Sequence, residues 1–120
     1  MDSGQSDGSL STGRRALARA DWAEARAAFT AALKLEETVE GYEGLGIAAR
    51  YELDGQTAIT VHESGYRLAR RLGNDESAAR LAIQLAYDAS RVGRRVLYRR
   101  TFPTCRAISR WSPTTTLRRH

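Results

Sequence analysis

From Leu10 onward, apolar side chains return every three or four positions, the spacing that gathers them on one face of an α-helix. In "ADWAEARAAFTAALKLEE", residues 20–37, the stripe is Trp22, Ala25, Phe29, Ala32 and Leu33. Asp21 stands where an N-cap belongs, and Glu24 three positions later completes a capping-box pattern. A shorter helix from Leu10 to Arg19 should precede it, so that the two form a hairpin turning at Ala20-Asp21. "VEGYEGLGIAARYEL", residues 39–53, predicts a third helix presenting Tyr42, Leu45 and Ala49, and Asp54-Gly55 supplies the next turn. "QTAITVHESGYRLARRL", residues 56–72, predicts a fourth, with Ala58, Val61, Gly65, Leu68 and Leu72 inward and Gly73 as its stop. Asn74 caps a fifth helix, whose first turn carries Asp75 and Glu76 where the helix dipole favours negative charge. Ala78, Leu81, Ala82, Leu85 and Ala86 lie on its packed side. A hairpin partner should follow, and there the pattern stops. Before Leu10, residues 1–9, "MDSGQSDGS", are small and polar and predict a flexible lead-in.

The hairpins repeat. Gly13, Ala25, Phe29 and Ala32 correspond, at a constant offset of 33 residues, to Gly46, Ala58, His62 and Gly65. Small residues at such places let paired helices approach closely, and a large side chain such as Phe29 fills the gap between them. The offset is close to the tetratricopeptide period of about 34. On these residues the chain resembles a tetratricopeptide repeat. On "ALARADWAEARAAFTAALKLEETVEGYEGLGIAARYELDG" and "RLARRLGNDESAARLAIQLAYD" it more narrowly resembles the region ahead of the DNA-binding domain in bacterial LuxR-type transcriptional regulators. The resemblance implies an all-α fold of antiparallel helix hairpins, about five helices over residues 10–90. It also implies a non-catalytic interaction or sensing module, here truncated before any DNA-binding domain. Two departures stand against it: His62 occupies the aromatic position, and neither repeat ends in the proline of the family pattern. Repeats of this kind line their groove with the first helix of each pair, so Glu43, Arg50 and Glu52 are the candidate contacts for a protein or peptide partner. Without a sixth helix, apolar surface is expected around Leu81 and Leu85, and with it self-association.

Composition changes the picture only when it is divided along the chain. Residues 1–90 hold ten basic and all fourteen acidic side chains, whereas residues 91–120 hold nine arginines and no acid. The net charge of +5 therefore comes from the C-terminal segment alone. Within that segment Arg94, Arg95, Tyr98, Arg99 and Arg100 could grip phosphates and stack on bases. Its "VGRRVLYRRTFPTCRAI" also resembles the recognition-helix end of a TetR-type helix-turn-helix, with Thr101 an extra residue. A small nucleic-acid-binding protein is thus the alternative function. Pro103 and Pro113 interrupt any helix that would complete the array, so the segment is expected to be an irregular basic tail. A frame shifted by one base near codon 90 permits, among its translations, an amphipathic, acid-containing sequence, so the segment is also compatible with an out-of-frame product.

Little else carries chemistry. His62 beside Glu63 permits a base-and-carboxylate reading, but no nucleophile has matching spacing, and a packing histidine between helices accounts for it better. Cys105 is alone and cannot form an internal disulfide or a metal-ligand pattern. "GLG" at 44–46 lacks the third glycine and the strand of a dinucleotide loop, so no cofactor is expected. There is no basic, apolar leader and no run of about 20 apolar residues, which makes a cytoplasmic protein without a membrane partner the expectation.

Overall fold

A computed structural model describes residues 2–92. Among these the chain is all-helical: α1 (Asp2–Ala18), α2 (Trp22–Leu35), α3 (Val39–Tyr51), α4 (Gly55–Arg71) and α5 (Asp75–Val92). Each helix packs on the one before it. The odd-numbered helices also touch, α1 with α3 and α3 with α5, so they form one layer and α2 and α4 the other. The anticipated irregular tail lies outside the described residues, apart from Arg91 and Val92, which continue α5.

Three of the four connections use one device. Asp21, Asp54 and Asn74 each donate the backbone N–H to a carbonyl five residues back, on Ala16, Ala49 and Ala69, every time at 2.9 Å. The residue before each is left-handed: Ala20 at φ 61°, Leu53 at 63° and Gly73 at 72°. These bonds satisfy carbonyls that a helix end leaves bare. Each polar residue then caps the next helix, its side chain accepting from the N–H of Glu24, Thr57 or Ser77 at 3.2 Å. The Glu24 carboxylate does not complete a capping box; it pairs with Arg19. The link from α2 to α3 differs, running through extended Glu36 to Thr38, which caps α3 through the Gly41 N–H at 3.0 Å.

All eight positions matched by the 33-residue offset are buried. Phe29 lies between Gly13 of α1 and Gly44 of α3, and a Cβ at either glycine would overlap its ring. His62 meets Gly46 in the same way. Large residues wedged against glycines set the spacing of neighbouring helices, the packing that the repeat offset implied.

Leu72, expected inward on α4, is its C-cap and 66% exposed, and two further expectations are corrected. Residues 2–9 are helical where an unstructured lead-in was expected: Ser6 and Leu10 are buried on the stripe that continues through Gly13 and Ala16. Gly4 and Gly8 each cost about 1 kcal/mol of helix propensity. Packing along the second half of α2 offsets this, because tertiary contact outweighs local preference. Second, Leu81 and Leu85 are not exposed; both are sealed, at 0% and 1%. Leu81 clusters with Ala69, Ala78, Val39 and Tyr66, and Leu85 with Ile59, so α3 and α4 already cover the stripe. On the opposite face of α5, Ile83 is 67% accessible and Tyr87 47%.

Candidate functional site

The layer of α1, α3 and α5 is laced by charge. Arg14 of α1 pairs with Glu40 of α3, Glu43 of α3 with Arg80 of α5 at 3.1 Å, and Arg50 of α3 with Asp88 of α5 at 2.6 Å. Of the three predicted contact residues, Glu43 and Arg50 therefore lie together toward α5. Glu52, at the end of α3, points away and pairs with Arg26 of α2 at 3.1 Å. Arg26 also holds Asp54 at 3.0 Å, and with the Thr57 hydrogen bonds this keeps the Asp54 carboxyl below the ordinary carboxylate value. Beside this corner Trp22 stacks on Tyr51, with centroids 4.4 Å apart and planes 14° from parallel.

The most deeply buried charged group in this layer is Asp88. Its Oδ2 accepts from His62 Nδ1 at 2.7 Å and its Oδ1 from Arg50 Nε at 2.6 Å, while Arg50 also donates to Gln84 and covers the Tyr87 ring at 4.6 Å. The His62 side chain is fully enclosed, and its Nε2 lies 3.4 Å from the Glu43 carbonyl oxygen, so both ring nitrogens face acceptors. Burial pushes the Asp88 carboxyl up, but the hydrogen bonds and charges of His62 and Arg50 outweigh it and hold the group below its usual value. The carboxylate partner of His62 is thus Asp88, 26 residues away, and not Glu63, which pairs with Arg67.

A histidine oriented by a carboxylate is half of a general-base arrangement. Here, among the described residues, no hydroxyl or thiol is bonded to Nε2, which faces the Glu43 carbonyl, and the pair is sealed from solvent. What the arrangement does chemically is tie three helices: Arg50 from α3, His62 from α4 and Asp88 from α5. Sequence reasoning passed over Asp88, although its position shows a signal: it follows Leu81 and Leu85 at four- and three-residue steps, an acid on the apolar stripe. Such a residue requires buried partners.

Elsewhere, Tyr42 donates to Glu37 at 2.5 Å; burial and this neighbour push its hydroxyl up to about 12. An open groove lined by Gln5, Gly8, Ser9, Thr12, Ala28 and Leu35 lies between α1 and α2 and presents no charged side chain. Among the described residues no group of three or more His, Cys, Asp or Glu side chains is placed to hold a metal, and no helix is long and apolar enough to cross a membrane. Arg94, Arg95, Tyr98, Arg99 and Arg100, the candidate nucleic-acid contacts, lie outside the described residues. Comparison with protein-family models, curated proteins and solved structures finds no match to this chain.

Proposed function

We propose that this chain is a non-catalytic helical-repeat module of tetratricopeptide type that binds a protein or peptide on the face formed by α1, α3 and α5. The observation that carries the reading is the geometric repeat. Positions 33 residues apart share burial, the contact of a large side chain with a glycine, and a left-handed residue followed by an Asp cap. Stacked hairpins of this kind expose one long surface from their first helices, which suits an extended partner. The narrower kinship, to the interaction region of LuxR-type regulators, rests on the sequence phrases alone. The non-catalytic assignment is supported by the sealing of His62 and Asp88, which leaves no path for a substrate to the only histidine-carboxylate pair among the described residues.

Panning a displayed peptide library against the full chain tests this. Peptides are expected whose binding falls at least tenfold in Glu43→Lys and in Ile47→Glu, at the half-buried α3 position one turn after Glu43, with helicity unchanged. If selected peptides bind these variants as well as the parent, the face is not the site. If instead the chain binds only RNA or DNA, with steep salt dependence and loss on substituting Arg94, Arg95, Arg99 and Arg100 by Ser, the nucleic-acid reading replaces it. That second reading rests on nine arginines without an acid in residues 91–120.

A further inference from the structure

The buried residues of α5, namely Ser77, Ala78, Leu81, Leu85, Asp88 and Ala89, occupy one side of the helix. The opposite side carries Glu76, Ala79, Ile83, Tyr87 and Ser90, all exposed, with Ala82 and Ala86 half-buried on its flank. Ile83 sits at the centre of this face, and Ala79, Ala82, Ile83 and Ala86 have the i, i+3, i+4, i+7 spacing of a hole that receives a knob from a facing helix. The small side chains make the hole, and Ile83 is itself the knob.

Charge is arranged about the same centre. The acidic first turn, Asp75 and Glu76, lies seven to eight residues before Ile83, and Arg91 lies eight after it. Among the described residues Asp75 has no ion-pair partner, Glu76 feels only the charge of Arg80 one turn on, which is itself paired with Glu43, and Arg91 reaches only Tyr87, whose hydroxyl lies at 3.2 Å. A helix that is acidic at one end, basic at the other and apolar in the middle is complementary to an antiparallel copy of itself.

We propose that α5 is a self-association surface, pairing antiparallel with α5 of a second copy about a two-fold axis at Ile83. Ile83 of each chain enters the alanine-walled hole of the other, and Glu76 of each faces Arg91 of the other. The antiparallel sense follows from the segment beyond α5, because residues 91–120 carry nine arginines and no acid. A helix of 18 residues is about 27 Å long, so antiparallel pairing holds the two α5 C-termini, where these arginines begin with Arg91, several screening lengths of about 8 Å apart, whereas parallel pairing would bring them together. One helix pair is a small interface, so the dimer is weak, with dissociation in the micromolar range. This surface is the outer side of α5, the last helix among the described residues, and not the α1, α3 and α5 face, so this pairing and the partner site stand or fall separately.

Sedimentation velocity of the full chain, from about 1 μM to about 300 μM, tests the pairing. The mass is expected to rise from that of the 13.3 kDa chain toward twice it. Ile83→Glu should hold the chain monomeric at every concentration without loss of helicity, because the side chain is already solvent-facing. Glu76→Arg and Arg91→Glu should each weaken association about tenfold, since the symmetry places each repulsion twice. The double variant carrying both changes should recover it. A chain that stays monomeric throughout overturns the proposal, as does association that survives Ile83→Glu. A double variant no tighter than the single ones rules out the antiparallel register.

Discussion

The first hairpin, α1 and α2, and the second, α3 and α4, build the same joint from different chemistry. In the first, an apolar ring, Phe29, fills the space between Gly13 and Gly44, and shape and burial suffice. In the second, His62 occupies the matching place against Gly46, and its nitrogens need partners, which arrive from Asp88 and from the Glu43 backbone. A polar wedge cannot be completed within its own hairpin. It recruits the next helix, which links α5 to α4 by charge and hydrogen bonding as well as by packing.

The sharpest test of that contrast pairs Phe29→Ala with Asp88→Ala at two pH values. Each should cost about 3–5 kcal/mol in urea unfolding at pH 7, the first by cavity formation and the second by stranding Arg50 and His62. Their acid behaviour should differ. Because the Asp88 carboxyl is held below its usual value, its contribution is complete above the unfolded-state pKa of about 3.9 and is lost as pH falls through the lower folded-state value. Phe29→Ala should keep the wild-type loss of stability toward pH 2, and Asp88→Ala should lack this component. Equal acid slopes in the two variants would remove Asp88 from the account.

A smaller effect comes from making the second joint like the first. His62→Phe alone leaves the Asp88 carboxylate without one partner, whereas His62→Phe with Asp88→Leu replaces the charged pair by apolar groups and lets Arg50, 14% exposed in its side chain, turn to water. The double variant should be more stable than the sum of the single changes by at least about 1 kcal/mol. Strict additivity would mean that the two side chains do not act as a unit.

The smallest effect concerns what the two hairpins share. Ala20 and Leu53 both adopt left-handed conformations that cost a non-glycine residue about 1–2 kcal/mol, and glycine is the usual residue there. After the entropy that glycine loses on folding, Ala20→Gly and Leu53→Gly should each stabilise by up to about 1 kcal/mol, raising Tm by roughly 4 °C. Leu53 is 83% exposed, so its replacement gives up little packing. A rise in one variant and a fall in the other would show that the two turns are not equivalent.

Much of this was legible in advance, for local reasons. The turns at Asp21, Asp54 and Asn74 follow from a short polar side chain preceding an apolar-periodic run. The buried face of α2 follows from the spacing of Ala25, Phe29 and Ala32. The helix over residues 2–9 was not legible, because glycine and serine predict a flexible segment until α2 gives Ser6 and Leu10 a surface to cover. Nor was the side of α5 that faces solvent: the Leu81 and Leu85 stripe looks uncovered when its hairpin partner is sought further along the chain, yet α3 and α4 already enclose it. Glu43, Arg50 and Glu52 were grouped by being on one helix, and the structure divides them between α5 and α2.

The sequence by itself determined helices α2 to α5, the turns at Asp21, Asp54 and Asn74 and the 33-residue repeat, because capping and amphipathic periodicity are settled within a few residues of chain. Only the tertiary structure decided that Arg50, His62 and Asp88, spread over 38 residues, share one buried site. A carboxylate on an apolar stripe announces that it needs partners, but which donors reach it depends on how three helices come together.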